Sequence, residues 1–341
     1  MTPVIVGVGA TRFARRGDAS PAGLAVRAIA AAVRDARVSF ADVDGVVRFD
    51  REGAWEYDLP GVMRLPALDY YGAVPDGPGS APALVRLAAM AISQGLARIV
   101  VGYHARAGTR PGDAEAVRAA ALLARRRESR VAAVTLALRR AAARNPSAIV
   151  RSPLSRAAYA RSPHLLAPLR EADAAPASAG GCAFVVAALE GPGRPWRKPV
   201  RVLGSMQAGI PSAVRHPVVW LASRRRGVLR AAARRLYREA GIRPGEVDVA
   251  CLYAAPSALV LPALDDYGIG DRCAPGLPRR PRVNPHGGQL AEAALDGIND
   301  LVEAVRQLRG EATSQVRGAR VALVAGSPLE PTSAVLLGAP A

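Results

Sequence analysis

The chain has 341 residues, half of them hydrophobic and 4% aromatic, and a formal charge of +18. That length and apolar content describe a globular protein with a large core and exclude a disordered one. No apolar run approaches the ~20 residues that span a bilayer. The opening residues, Met1-Thr-Pro-Val-Ile-Val-Gly-Val-Gly9, lack a basic leader, so they read as a first strand in a cytoplasmic protein rather than a signal peptide. Lys198 is the single lysine, and the remaining positive charge is arginine spread over helices without interleaved aromatics. Such a bias follows from a GC-rich genome, and no zinc-finger, RNP or helix-turn-helix pattern accompanies it, so nucleic-acid binding is not expected.

In chain order, Val4–Gly9 is a short β-branched run ending in glycine, and residues 21–36 form an amphipathic helix. Ala41-Asp-Val-Asp44 precedes the apolar Gly45-Val-Val47, and Leu65-Pro-Ala-Leu-Asp-Tyr-Tyr-Gly72 follows. A helix over 81–95 then feeds the strand Ala97-Arg-Ile-Val-Val-Gly102. Residues 104–178 hold an arginine-rich helical stretch (114–144) and a Pro/Ser-punctuated segment, read as an excursion over one face. Gly180–Ala188 returns as a core strand, and Gly191-Pro-Gly-Arg-Pro195 is a linker. Beyond it the order repeats. Val200-Arg-Val-Leu-Gly204 matches the first strand, and a helix at about 223–240 matches the first helix. Gly245-Glu-Val-Asp248 precedes Val249-Ala-Cys-Leu252, and Leu261-Pro-Ala-Leu-Asp-Asp-Tyr-Gly268 echoes the earlier octapeptide. A helix over 289–309 then feeds Ala319-Arg-Val-Ala-Leu-Val-Ala-Gly326.

Each half therefore reads strand, helix, strand, helix, strand, the pattern of a helix-covered mixed or parallel sheet. The expectation is an α/β protein of two duplicated βαβαβ-type halves, 1–195 and 196–341, with the excursion at 104–178. Three widely spaced cysteines, Cys182, Cys251 and Cys273, make neither a disulfide framework nor a zinc site, and the first two read as buried structural thiols.

A duplicated half with a helical excursion resembles the thiolase fold. Asn145-Pro-Ser-Ala148, Pro153-Leu-Ser155, Tyr159, Pro168-Leu169, Asp173 and Gly180-Gly-Cys-Ala183 resemble a stretch of the sterol-carrier-type thiolases. Asn284-Pro-His-Gly-Gly-Gln-Leu290 with Glu303–Gly310 is similar to their lipid-transfer-protein branch. That resemblance implies layered sheets and helices, a homodimer, an acyl-CoA substrate without a further cofactor, and, through the branch's acyl-CoA aldolases, a small OB-fold, zinc-ribbon partner. An acidic partner protein or coenzyme A phosphates would use the positive field.

The family's reactive positions are altered. Thiolase chemistry needs a cysteine at a helix start, where backbone amides favour the thiolate; Gly77 occupies that place. Ser80 lacks a visible base nearby and is expected as a helix N-cap, although such a helix start still binds an anion or oxyanion. Tyr253 stands where thiolases have a histidine, as in the aldolase branch, but Ala254-Ala-Pro replaces the Asp-x-Phe that normally follows. The branch's second tyrosine falls at Ala294, and the late thiolase cysteine is missing around Ala325-Gly-Ser327.

Three residues are candidates for proton transfer. Tyr253 ends an apolar strand, where a phenol also serves as a core residue with one hydrogen bond. His286 lies on a glycine-flanked loop, where site and structural roles are both open. Asp296 sits beside the vacated tyrosine position, where the helix dipole would also favour a solvated first-turn carboxylate. Gly77, Ser80, Asn284, Gly287 and Gly288 are candidates for binding substrate, as are Tyr103 and Arg106 (or Arg110) beyond the strand ending at Gly102, with His104 between them. His164 and His216 read as structural, and no metal constellation is present. What the resemblance implies, with the cysteine gone, is a retro-aldolase on a β-hydroxyacyl-CoA of the lipid or steroid side-chain type, with a non-catalytic scaffold subunit and a thiolase-type acyltransferase as alternatives.

Overall fold

The computed structural model describes residues 1–50, 61, 63, 65, 67–75, 77, 80–108, 114–190, 196–209, 226–270, 276–329 and 332–340. The linker Gly191–Pro195, Arg110, His216 and Cys273 lie outside the described residues.

The first half supplies β1 (Pro3–Ala10), α1 (Pro21–Ala36), β2 (Gly45–Phe49), β3 (Tyr70–Val74), α2 (Ala81–Ser93) and β4 (Ile99–Ala107). The excursion holds α3 (Ala114–Ala124), α4 (Glu128–Ala142), α5 (Arg156–Arg161) and a hairpin of β5 (His164–Leu166) and β6 (Leu169–Arg170), before β7 (Ala179–Ala188) returns. The second half runs β8 (Val200–Ala208), α6 (Arg226–Ala240), β9 (Val249–Leu252), α7 (Val260–Asp266), β10 (Arg282–Val283), α8 (Gly288–Ala291), α9 (Ile298–Arg309), β11 (Val321–Ala325) and β12 (Thr332–Gly338).

The strands hydrogen-bond in the order β10-β9-β11-β12-β8-β1-β7-β4-β2-β3. Counted outward from the β8–β1 junction, the two halves share one order. β2, β3 and β4 are parallel, as are β9, β10 and β11. β7 and β12 each run antiparallel between their neighbours. The junction itself has only the pairs Val4↔Arg201 and Ile5↔Val200. It is reinforced by Arg309 at the end of α9, which donates to Asp35 of α1 (2.6 Å) and to the Lys198 carbonyl (3.1 Å).

The duplication is visible at side-chain level. Asp44 enters β2 and accepts the amides of Arg98 (2.9 Å) and Ile99 (2.8 Å) at the start of β4. Asp248 enters β9 and accepts those of Arg320 (2.8 Å) and Val321 (3.1 Å) at the start of β11. Each carboxylate satisfies two strand-end donors that would otherwise need water, and each meets a guanidinium, Arg98 or Arg280. The echoed octapeptide is a different matter. The described residues of its first copy are not helical and run into β3, whereas its second copy forms α7 and ends well before β10. Local sequence is a weak prior that tertiary context overrides.

Helices α2 and α9 are central. Their apolar residues, among them Leu84, Val85, Ile92, Leu301 and Val305, share one core with Ile5, Val47 and Val186 from one half and Val249, Val324 and Val335 from the other. The outer sheet faces are covered by α1 in the first half, and by α6, α7 and the excursion helices in the second. This is the expected thiolase-like layering. The helix expected over 289–309 is interrupted at 292–297, where Asp296 (φ 50°) and Gly297 (φ 91°) turn the chain before α9.

Candidate functional site

The site forms where the parallel strands end and the central helices begin, the place at which open α/β sheets collect ligands. Asn284 follows β10 with φ 42°. Its amide side chain bridges the Leu252 N–H (2.7 Å) and carbonyl (2.8 Å) at the end of β9. Both ends of the amide are spent on the backbone, so this candidate substrate contact is a buried splint for the loop. Gly287 (φ 103°) and Gly288 (φ 61°) then turn the chain. A Cβ on Gly287 would lie 2.6 Å from the Ala142 methyl of α4, and one on Gly288 would meet the Asn284 amide at 2.6 Å. Only glycine satisfies both the conformation and the space.

This loop delivers His286 into the interior, 1% exposed. Its Nε2 lies 2.9 Å from Asp300 Oδ1 and 3.6 Å from Glu292 Oε2. Asn145 donates to both the His286 carbonyl (3.0 Å) and Glu292 (2.8 Å), Asn299 donates to Glu292 (2.8 Å), and Gln289 donates to Asp300. Burial alone would lower the imidazole pKa, but Glu292, Asp300 and Glu303 more than reverse that and push it up to about 9. His286 is therefore a cation at neutral pH. Its Nδ1–H has no acceptor among the described residues. Burial pushes the Glu292 carboxyl up, opposed by the His286 charge.

A second cluster lies beside the first. Asp296 pairs with Arg106 and lies 3.2 Å from His104 Nε2, while the His104 ring meets Phe49 edge-on at 4.8 Å. Asp296 is 9% exposed. It is therefore neither solvated nor in the first turn of α9, as the dipole argument would have it. Gly297 links the two clusters: a Cβ there would be 3.6 Å from Ala81 Cβ, 3.7 Å from Gln289 Nε2 and 3.8 Å from Asp300 Oδ2. The start of α2 thus closes the same small volume. Ser80 is buried at the N-cap of α2 but makes no side-chain capping bond, and a Cβ built on Gly77 would lie 4.0 Å from Ser80 Oγ.

The other candidates are distributed differently. Residues 103–107 continue β4 instead of following it, so alternation decides their faces. His104 and Arg106 point to the site, and Tyr103 packs on the opposite face under α1. Tyr253 sits just past β9, its N–H bonded to the Ala325 carbonyl (3.1 Å), and its ring packs in the apolar cluster that includes Leu290. The following turn is held from the excursion: Ser257 and Thr135 bond to Asp173, which also accepts from Tyr159 (3.0 Å) and the Arg170 amide (2.9 Å). Cys182 and Cys251 are both buried, and burial, helped by nearby Glu292 and Asp300, pushes both thiols up. Neither offers a thiolate. Asp300, Glu292, Gln289 and Asn299 were not anticipated. The available signal was a polar run, Asn299, Asp300, Glu303 and Gln307, on a helix apolar enough to be central. Among the described residues no group of three or more His, Cys, Asp or Glu side chains could hold a metal.

Residues 223–337 match the model of the thiolase C-terminal domain-like family. Over 98% of this chain and 97% of the relative, the sequence is 30% identical to a steroid side-chain-cleaving aldolase of Thermomonospora curvata. The chain belongs to the aldolase branch of the thiolase superfamily. It is also 29% identical, over 98% of each chain, to the 17-hydroxy-3-oxo-4-pregnene-20-carboxyl-CoA lyase of Mycobacterium tuberculosis. A solved Ltp2-ChsH2(DUF35) aldolase superposes with TM-score 0.88 at 28% identity, covering 99% of this chain and 98% of that one. A monomeric SCP2-thiolase-like protein of Mycobacterium smegmatis shares the fold, with TM-score 0.77. The resemblance read from the Asn284–Leu290 loop is borne out at the level of the branch.

Proposed function

We propose that the protein is a retro-aldolase that cleaves a β-hydroxyacyl-CoA, of the steroid or lipid side-chain type, into a carbonyl compound and a shortened acyl-CoA. The observation that carries this reading is the chemistry gathered at the start of the central helices. Acid–base groups and a buried cation are present, and the two described cysteines are held as thiols. A thiolase-type acyltransferase needs a thiolate nucleophile, whereas a retro-aldol needs only proton transfer and a place for developing negative charge.

In the proposed reaction Tyr253, entering as the phenolate, takes up the β-hydroxyl proton as the Cα–Cβ bond breaks. The bonding pair moves into the thioester as an enolate, and the β-carbon leaves as the carbonyl. Cationic His286, with the amides of Gly288 and Gly77, holds the enolate oxygen, the Gly287 N–H being already given to the Asn284 carbonyl (2.9 Å). A proton then returns to the α-carbon, so no other reactant is consumed. Asp296 with Arg106 orients His104 beside the position vacated at Ala294. Coenzyme A enters as part of the substrate.

The same proposal includes a small OB-fold partner, supported by the DUF35 component named in the solved relative, a homodimer and a cytoplasmic location. Among the described residues no helix is long and apolar enough to cross a membrane. Co-expression with a candidate partner and assay over a panel of β-hydroxyacyl-CoAs tests the reading by mass spectrometry of both products. Tyr253→Phe is expected to lose at least about a hundredfold in rate, and unchanged cleavage would remove Tyr253 from the mechanism. A stable complex without cleavage of any panel member would favour a scaffold subunit, the reading that Ala294 supports.

A further inference from the structure

A cavity opens on the outer flank of β10, the last strand of the sheet, with Pro285, the neighbour of His286, in its floor. It is a groove of about 1280 Å³ between α4 and the turn before β11. It opens at Asp248, Arg280 and Arg282, where β9 and β10 begin, whereas the catalytic groups stand where those strands end. Its floor is apolar, built from Ala133, Ala137, Ala141, Leu277, Val283 and Pro285. Its rim carries Arg140, Arg144, Arg279, Arg280, Arg282 and Arg317, all exposed. A second cavity of about 310 Å³ shares Ala133, Ala137 and Arg140 and continues the groove across α4 to Leu136, Leu154 and Arg156.

Among the described lining residues Asp248 is the one carboxylate, and it is already held by Arg280 at 2.6 Å and by two strand amides. The rim is thus a one-sign field over a low-dielectric floor, an arrangement that concentrates anions. Guanidinium groups take carboxylates and phosphates with two parallel hydrogen bonds. Two features choose between the anions. The volume exceeds the roughly 300–1,000 Å³ of small-molecule sites. The described lining residues also include no aromatic ring for a base to stack on, while the alanine, leucine and valine floor matches aliphatic side chains.

We infer that this groove docks an acidic, amphipathic segment of a partner protein, with carboxylates on the arginine rim and aliphatic side chains on the floor. The inference stands apart from the proposed reaction, because none of its residues belongs to the catalytic site.

The test uses the full chain and a fluorescein-labelled helical peptide of about 15 residues, roughly four turns, with glutamate on one face and leucine on the other. Fluorescence anisotropy is read at low ionic strength and at about 0.15 M, where exposed charges are screened beyond about 8 Å. Arg140→Glu with Arg144→Glu should weaken binding at least about tenfold. The same charge change at Arg234 and Arg238 of α6, outside the groove, should change it less than about twofold. Equal losses from both pairs would overturn the inference, leaving only the general charge of the chain. An all-glutamate peptide binding as tightly as the amphipathic one would overturn the role of the floor. A single-stranded oligonucleotide that binds more tightly than the peptide and loses affinity with the groove pair would reassign the groove to nucleic acid.

Discussion

Replacing His286 by glutamine tests the buried charge directly. The imidazole titrates at 6.5 in an unfolded chain and at about 9 in the fold. That difference of about 2.5 pH units, at about 1.4 kcal/mol per unit, makes the protonated histidine worth between about 3 and 4 kcal/mol to stability. Because the folded value is the higher one, the contribution is complete below pH 6.5 and is lost as pH rises through about 9. Cys182 and Cys251 act in the same direction above the ordinary thiol range, since burial keeps them protonated. The informative quantity is therefore the difference between wild type and His286→Gln. Urea unfolding of both proteins at pH 6 to 9.5 should show wild-type stability falling by about 3 kcal/mol more than the variant's, mostly between pH 6.5 and 9. Parallel curves would mean that His286 is neutral in the fold, and the cationic role assigned to it would fail.

Asp173 is fully buried and accepts four hydrogen bonds that tie the excursion to the turn after Tyr253. Asp173→Asn should cost about 2–4 kcal/mol, measured by urea unfolding, because donors lose a charged acceptor. A loss under about 1 kcal/mol would show that the carboxylate is not the anchor. Gly77→Cys should fold with stability within about 0.5 kcal/mol of wild type, since among the described residues the nearest atom to a new Cβ is Ser80 Oγ at 4.0 Å. Its thiol should react with iodoacetamide well before Cys182 or Cys251, read by intact mass, and failure to label would place Gly77 out of reach of the site.

Much of the fold was legible because duplication leaves marks that survive divergence. The acidic residue entering β2 and β9, and the Ala-Arg-aliphatic start of β4 and β11, recur because they perform the same hydrogen-bonding task. The echoed octapeptide was also conspicuous, but it adopts two conformations and carries no such task. The site was less legible for three reasons. Strand β4 runs beyond Gly102, so Tyr103 faces away while His104 and Arg106 face in, and no composition rule gives a strand's end to that accuracy. Asn284 has the chemistry of a ligand contact, yet both ends of its amide are consumed by Leu252. Asp300 and Glu292 lie on or beside short helical segments where carboxylates are ordinarily solvent-facing, and only the burial of α9 between the halves turns them into partners for His286.

The narrow β1–β8 junction has a consequence for how the site exists at all. His104 and Arg106 belong to one copy of the repeat, and Asp296, His286 and Asp300 to the other. A single copy would hold half of a reaction centre, and two unlinked copies would assemble it only at sufficient concentration. Covalent fusion makes that encounter intramolecular, at an effective concentration independent of how much protein is present. Two residue pairs at the strand junction are therefore enough, because the core that α2 and α9 share with both sheets holds together copies that the connecting chain has already brought into contact.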